Sequence, residues 1–283
     1  MNQLTENKLL DIICPIKDYD SKKSFLQNGY VVFNKIALPY LNALHLLCSK
    51  YIVEKEQTFQ YSLMEHSFEE NLYLHQQLNE LLSPLLNSVF EQYSTYNASL
   101  LIKPGVTGTE MNLHQDWTFT DEKKFTTCTI WIPLQDTNEL NGGLFFLPGS
   151  HRICNNFRSQ DYQTARFSKV LFEKNVKSIE VSMGDVVVFN PACFHGSYSN
   201  QNKSPRIAIS ITLLNENAPF IHVKKKSENL ALIYQIDSNC FLKDLSMLNE
   251  KYGFESAKFD LVDYVHHIPS SQEFQLILTE YVS

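Results

Sequence analysis

From Ala98 onward the apolar residues come in short runs separated by Gly, Pro, Asn and Asp: Ser99 to Lys103, Glu110 to Asp116, Thr126 to Leu134, Gly143 to Leu147, Ser178 to Val181, Asp185 to Phe189 and Arg206 to Leu213. Runs of β-branched and aromatic residues at such intervals predict the strands of a sandwich or barrel rather than a parallel α/β sheet. Upstream the period lengthens. Ser24 to Asn28 predicts a short helix stopped by Gly29, with a strand over Tyr30 to Phe33. After Pro39, Leu41, Leu44, His45, Cys48 and Ile52 recur at helical spacing, and a second helix is predicted from about Glu69 to Tyr93, broken or kinked at Pro84. Beyond Asn215 the pattern predicts a strand over Leu230 to Ile236 and a helix near Leu242 to Leu248. With no repeat or linker in view, the expectation is one mainly β (α+β) domain over residues 1–283. It divides into a mainly helical part at 1–95, a β core at 96–214 and a C-terminal extension at 215–283, which supplies a lid, a substrate wall or a dimer contact.

A chain of 283 residues, 43% hydrophobic and 19% charged, buries a core large enough to stand without a structural metal, so a metal site here is expected to be functional. The net charge of −7 is spread without long like-charge blocks, which disfavours nucleic acid or an anionic membrane as the main partner. Lys224, Lys225 and Lys226 form the one basic cluster, expected as a solvated turn, with a clamp for a phosphate-bearing substrate as the alternative. The six cysteines lack C-x-x-C spacing and sit mostly in apolar runs, as buried thiols of a reducing compartment do. Residues 1–16 lack the pattern of a secretory leader and no segment has the length of a membrane span, so a cytoplasmic protein is expected.

His114 and Asp116 stand two apart in a strand-like stretch and so project from one face, which brings an imidazole and a carboxylate together. His195, after the strand ending at Phe189, completes two histidines and one carboxylate, the facial triad of non-haem Fe(II) oxygenases. Arg206 follows His195 across Asn200-Gln-Asn-Lys-Ser-Pro205, a stretch of turn residues. A hairpin centred between Asn200 and Gln201 would set His195 and Arg206 opposite each other on neighbouring strands. The guanidinium would then offer a bidentate fork to the far carboxylate of a chelating 2-oxo dicarboxylate, and Ser197, on the face of His195, a hydroxyl to the same group. Asn112 shares the parity of His114 and Asp116 and is expected to face the cavity. His151, His266 and His267 have no partner at ligand spacing and read as structural.

The order of these motifs resembles the phytanoyl-CoA dioxygenase-like branch of the Fe(II)/2-oxoglutarate dioxygenases. The resemblance runs from about residue 24 to 214 through Asn28-Gly-Tyr-Val-Val32, His114-Gln-Asp116, Trp131-Ile-Pro-Leu134 and Asn141-Gly-Gly-Leu144. It continues through Leu147-Pro-Gly-Ser-His-Arg152, Gly184-Asp-Val-Val-Val-Phe189 and His195 to Arg206. It implies a double-stranded β-helix, the cupin-like jelly roll, with iron held by His114, Asp116 and His195 at its mouth. It also implies Arg206 and Ser197 at the distal carboxylate of 2-oxoglutarate, Trp131 and Lys103 in contact with the cosubstrate, and Trp117 and Phe119 at the substrate pocket. The implied activity uses Fe(II), 2-oxoglutarate and O2 to hydroxylate an unactivated C–H bond of a small amino-acid-like, peptide or carrier-bound molecule, releasing succinate and CO2. Asp116 favours hydroxylation over halogenation, since related halogenases carry a small residue there. The expected assembly is a monomer or homodimer. The alternatives are a jelly-roll binding or sensing protein without turnover, and a cupin-like metal-dependent hydrolase or isomerase; the complete triad weighs against the first and Arg206 against the second.

Overall fold

The computed structural model describes residues 12–52, 59–106, 110–152, 156–159, 174–242, 259–264, 270 and 272. Helix α1 (Tyr19–Asn28) is capped by the Asp18 side chain, which accepts from the Ser21 amide, and stops at Gly29, whose φ of 86° is left-handed. A Cβ at Gly29 would lie 2.7 Å from the Cys193 sulfur, so both the turn and the packing require glycine. Strand β1 (Tyr30–Phe33) follows, then α2 (Leu41–Cys48) and the short β2 (Gln60–Tyr61) and α3 (Ser62–Glu65).

Helix α4 (Phe68–Val89) starts at a capping box in which the Ser67 and Glu70 side chains bond each other's backbone amides. Its stripe Leu74, Leu78, Leu82, Leu85, Leu86 and Val89 is buried. The helix runs on through Pro84 without the break that is one of two outcomes expected there, and it ends at Val89, short of Tyr93. The Ser83 hydroxyl donates to the Glu80 carbonyl (3.0 Å), the group Pro84 leaves open for want of an N–H. The chain reverses at Gln92, φ 48°, and strand β3 (Tyr93–Lys103) begins there, several residues before the expected start of the β core.

The remaining strands are β4 (Met111–His114), β5 (Thr127–Pro133), β6 (Leu144–Phe146), β7 (Lys177–Ser178), β8 (Val186–Phe189), β9 (His195–Ser197), β10 (Arg206–Asn215), β11 (Ile221–Ser227), β12 (Leu230–Gln235) and β13 (Phe259–Asp263). They form a six-stranded sheet in the order β1-β8-β5-β10-β3-β2, a four-stranded sheet β4-β9-β6-β7 and a three-stranded sheet β11-β12-β13. The six-stranded sheet is covered on both faces, which is why its strands read as continuous apolar runs. Cys128, Ile130, Ile132, Ile209, Ile211 and Leu213 pack with the α4 stripe, whereas Trp131, Val187, Phe189 and Ala208 pack with Leu144 and Phe146 of the four-stranded sheet.

Two expectations change here. Strands β9 and β10 are not a hairpin: β9 pairs with β4 and β6, and β10 with β3 and β5. The turn residues 200–205 carry the chain from one sheet to the other, so His195 and Arg206 face the same interior from different sheets. Lys224, Lys225 and Lys226 lie in β11, a strand and not a turn, with Lys225 and Lys226 exposed. Most of the helix expected at 242–248 lies outside the described residues. Phe220, Ile236 and Phe241 of the extension pack against Tyr96, Phe119 and Leu214.

Candidate metal centre

His114 and His195 are cross-strand partners in the four-stranded sheet. Their Nε2 atoms lie 3.7 and 3.8 Å from the two Asp116 carboxylate oxygens, and one ligand atom from each residue falls within 4.8 Å of the others. Each Nδ1 bonds a backbone carbonyl at 2.8 Å, that of Asn112 for His114 and that of Cys193 for His195. Only a protonated nitrogen can donate to a carbonyl, so each ring carries a proton on Nδ1 and presents Nε2 toward the carboxylate, the orientation a metal-binding imidazole needs. Two ligand bonds of about 2.0–2.2 Å can bridge these separations, so the three groups fit one divalent ion.

Asp116 lies just beyond β4, and its backbone is tied on both sides. Its amide donates to the Pro191 carbonyl (2.9 Å) and its carbonyl accepts from Arg158 Nε (2.6 Å). Arg158 is buried and forked onto Glu122, with Nη1 to Oε2 at 2.9 Å and Nη2 to Oε1 at 2.6 Å, and it exchanges further bonds with Thr118. Nothing in local sequence pattern marks this clamp, because its partners are more than thirty positions apart.

A cavity of about 450 Å³ opens beside the triad, and Trp117, Phe119, Trp131, Ser197 and Arg206 are among the residues that line it. Arg206 is 2% exposed, and its Nε and Nη1 have no hydrogen-bond partner. Its guanidinium lies 5.5 Å from the centre of the Trp131 ring, whose buried Nε1 is also unpartnered, and burial holds the Arg206 pKa down to about 10. A buried guanidinium with free N–H groups is a socket for a carboxylate. Lys103 is the cross-strand partner of Arg206 but stands behind the wall: its ammonium donates to Ser197 Oγ (2.8 Å) and to the carbonyls of Ser197 and Tyr198. Burial, and then the charge of Arg206, push its pKa down to about 7. Because Ser197 Oγ accepts from this amine, its own proton is left to donate elsewhere.

Asn112 is corrected. It is not among the residues lining the cavity, and Met111 takes that place. Met111 pairs with Ser197 while His114 pairs with His195, so β4 holds one residue more than β9 between the pairs, and this irregularity shifts the parity. Missed by sequence reasoning were Ser210, Thr212, Thr129 and Asn97, which line the six-stranded side. Counting in twos from Arg206 and Trp131 would have found the first three.

A family profile described as phytanoyl-CoA dioxygenase matches residues 50–208, more than half of the chain. The chain is 29% identical over 155 residues to a phytanoyl-CoA dioxygenase domain-containing protein 1 homolog of Dictyostelium discoideum, covering 45% of this chain and 54% of that one. To the peroxisomal phytanoyl-CoA dioxygenase of Bos taurus it is 26% identical over 220 residues, 73% of this chain and 60% of that one. It therefore spans little more than half the length of these curated relatives. In fold it resembles EvdO2 from Micromonospora carbonacea var. aurantiaca, solved in complex with 2-oxoglutarate, with a TM-score of 0.51 and 15% identity over 72% of this chain and 93% of that one. HygX from Streptomyces hygroscopicus, solved with nickel and 2-oxoglutarate bound, gives a TM-score of 0.50 and 13% identity over 70% and 87%. On the profile match, in a jelly roll that brings His114, Asp116 and His195 to one point, the chain belongs to the phytanoyl-CoA dioxygenase family.

Proposed function

We propose that this protein is an Fe(II)- and 2-oxoglutarate-dependent oxygenase that hydroxylates an unactivated C–H bond of a small molecule and releases succinate and CO2. One observation carries the proposal: a complete metal-donor triad and a buried guanidinium whose Nε and Nη1 have no partner face one cavity from opposite sheets. The bound 2-oxoglutarate of EvdO2 and the nickel and 2-oxoglutarate of HygX agree with it. His114, Asp116 and His195 would hold the metal, which with 2-oxoglutarate supplies the oxidising power for C–H hydroxylation when O2 is present.

The protein's part is to hold, orient and exclude. The Asn112 and Cys193 carbonyls hold both imidazoles by Nδ1, with Nε2 aimed at the metal position. Arg206, already desolvated, takes the distal carboxylate of the cosubstrate in a bidentate fork, with the Ser197 hydroxyl beside it. Trp131, Leu144 and Phe189 wall the space between, which limits water near the reacting centre. A hydrolase or isomerase using the same metal would leave Arg206 a buried cation without a role. The substrate is amino-acid-like, peptide or carrier-bound.

The test is spectroscopic. Fe(II) and then 2-oxoglutarate are added without oxygen to wild type, Arg206→Ala and Asp116→Ala. A visible charge-transfer band is expected in wild type, weakened in Arg206→Ala until more cosubstrate is added, and absent in Asp116→Ala. Metal binding in wild type with no band on adding 2-oxoglutarate would refute the proposal.

A further inference from the structure

Along β10 the residues facing the cavity side are Arg206, Ala208, Ser210 and Thr212; all four have a neighbour on β3 and the last three also have one on β5. Lys103, Leu101, Ser99 and Asn97 flank them on β3; Pro133, Trp131 and Thr129 flank the last three on β5. The surface thus passes from a cation at one end, through apolar Leu101 and Ala208, to a neutral polar end at Asn97, Thr212 and Thr129. At about 3.3 Å per residue the backbone distance from Arg206 to Thr212 is roughly 20 Å. A five-carbon dicarboxylate, with four C–C bonds of about 1.5 Å, covers less than half of that. If Arg206 anchors the cosubstrate, the Asn97 end is left to another molecule, and in this respect the inference rests on the proposed function.

That end carries a specific vacancy in its hydrogen bonding. Asn97 is 6% exposed and lines the cavity; its Nδ2 donates to the Tyr61 hydroxyl (3.5 Å), and its Oδ1 has no partner. A buried amide oxygen without a donor is rarely kept in a folded protein unless a water or a ligand meets it. Tyr61 accepts from Asn97 and shares a second side-chain hydrogen bond with Ser99, and burial pushes its pKa up to about 12, which keeps the phenol protonated and able to turn its O–H toward a ligand. An acceptor and a donor therefore stand side by side. Around them Trp117, Phe119, Phe241 and Leu63 give an apolar and aromatic wall. Among the described residues lining the cavity Arg206 is the one Lys or Arg, and it lies at the far end; Lys224 to Lys226 do not line it. An anionic group beside Asn97 would find the Glu65 carboxylate lining the same cavity and no Lys or Arg of its own.

We infer that the Asn97 end is the substrate subsite and that it selects an uncharged group with adjacent donor and acceptor, a carboxamide above all, on an apolar or aromatic body. Asn97 accepts its N–H and Tyr61 donates to its C=O, while Trp117, Phe119 and Phe241 take the body. A free carboxylate or a phosphate at this position is rejected.

The test is calorimetric binding to full-length protein loaded with Mn(II) and 2-oxoglutarate, using three probes on one aromatic body: N-acetylphenylalaninamide (neutral), N-acetylphenylalanine (anionic) and phenylalaninamide (cationic). The neutral probe should bind at least about tenfold more tightly than the anion. Asn97→Leu should weaken the neutral probe about tenfold, the effect of one net hydrogen bond, and leave the affinity for 2-oxoglutarate unchanged, which also reports an intact fold. Asn97→Asp should turn the preference toward the cation. Equal or tighter binding of the anion, no binding of the neutral probe, or indifference of all three probes to both substitutions would overturn the inference. Failure of 2-oxoglutarate to bind wild type would instead refute the cosubstrate assignment, and the probe series repeated without it separates the two.

Discussion

Replacing Arg206 with Met should make the protein more stable when no carboxylate is present and less stable when one is. Burial holds the Arg206 pKa at about 10, and the difference from a free guanidinium corresponds to on the order of 3 kcal/mol against the charged form. The folded value lies below the unfolded one, so this penalty is present in full below about pH 10 and fades only above it, as the unfolded state holds the extra proton. Met removes the penalty and keeps much of the volume. It also removes the stacking of the guanidinium over Trp131 at 5.5 Å, worth about 0.5–2 kcal/mol. The net gain is about 1–2 kcal/mol at neutral pH. With 2-oxoglutarate at a hundred times its dissociation constant, wild type should gain about 2.7 kcal/mol and Arg206→Met close to nothing, so the order of stability reverses. Urea unfolding of Mn(II)-loaded protein with and without 2-oxoglutarate reads both effects from the midpoints. A Met variant less stable than wild type without cosubstrate, or one that gains as much from it, would refute the account of Arg206 as an idle socket.

Two further outcomes follow from the geometry. Arg158→Met breaks a buried pair with Glu122 and frees the Asp116 carbonyl, so it should cost about 3–5 kcal/mol of unfolding free energy and weaken Mn(II) about 10–100-fold. Unchanged Mn(II) affinity in a destabilised but folded variant would confine Arg158 to the fold. Lys103, held to about 7 by burial and by Arg206, should take up a proton when a carboxylate neutralises Arg206. Affinity for 2-oxoglutarate should then fall as pH rises through about 7, by at most about tenfold per pH unit. A pH series of 2-oxoglutarate titrations should show this slope in wild type and a flat profile in Lys103→Met; equal slopes in both would assign the pH dependence elsewhere.

What could be read from the sequence, and what could not, divides along the range of the interactions. Periodicity along one strand is local. It gave β1, β5, β8, β10 and the second half of β3 but neither β2 nor the start of β3, and counted in twos it would also have given Ser210 and Thr212 from Arg206. The pairing of strands is not local. Turn residues between His195 and Arg206 suit a hairpin as well as they suit a crossing between sheets, and only the competition of β3 and β5 for the edges of β10 decides it. The expected convergence of His195 and Arg206 holds because a jelly roll turns the inner faces of both sheets onto one cavity. One extra residue in β4 defeats parity in the same way, exchanging Asn112 for Met111 while leaving His114 in register with His195.

The clamp on Asp116 lies beyond any local signal, since Arg158 and Glu122 read as ordinary surface charges until the fold buries one against the other. Its position has a consequence for the site. His114 and His195 are fixed by a ladder that the four-stranded sheet would form anyway, whereas Asp116 sits past the end of β4, where no ladder constrains it. The third ligand therefore depends on bonds from Pro191 and Arg158, and the ion pair that keeps Arg158 in place serves the metal site through a backbone carbonyl. The carboxylate is the ligand most sensitive to substitutions far from the cavity, and the buried Arg158–Glu122 pair is where that sensitivity concentrates.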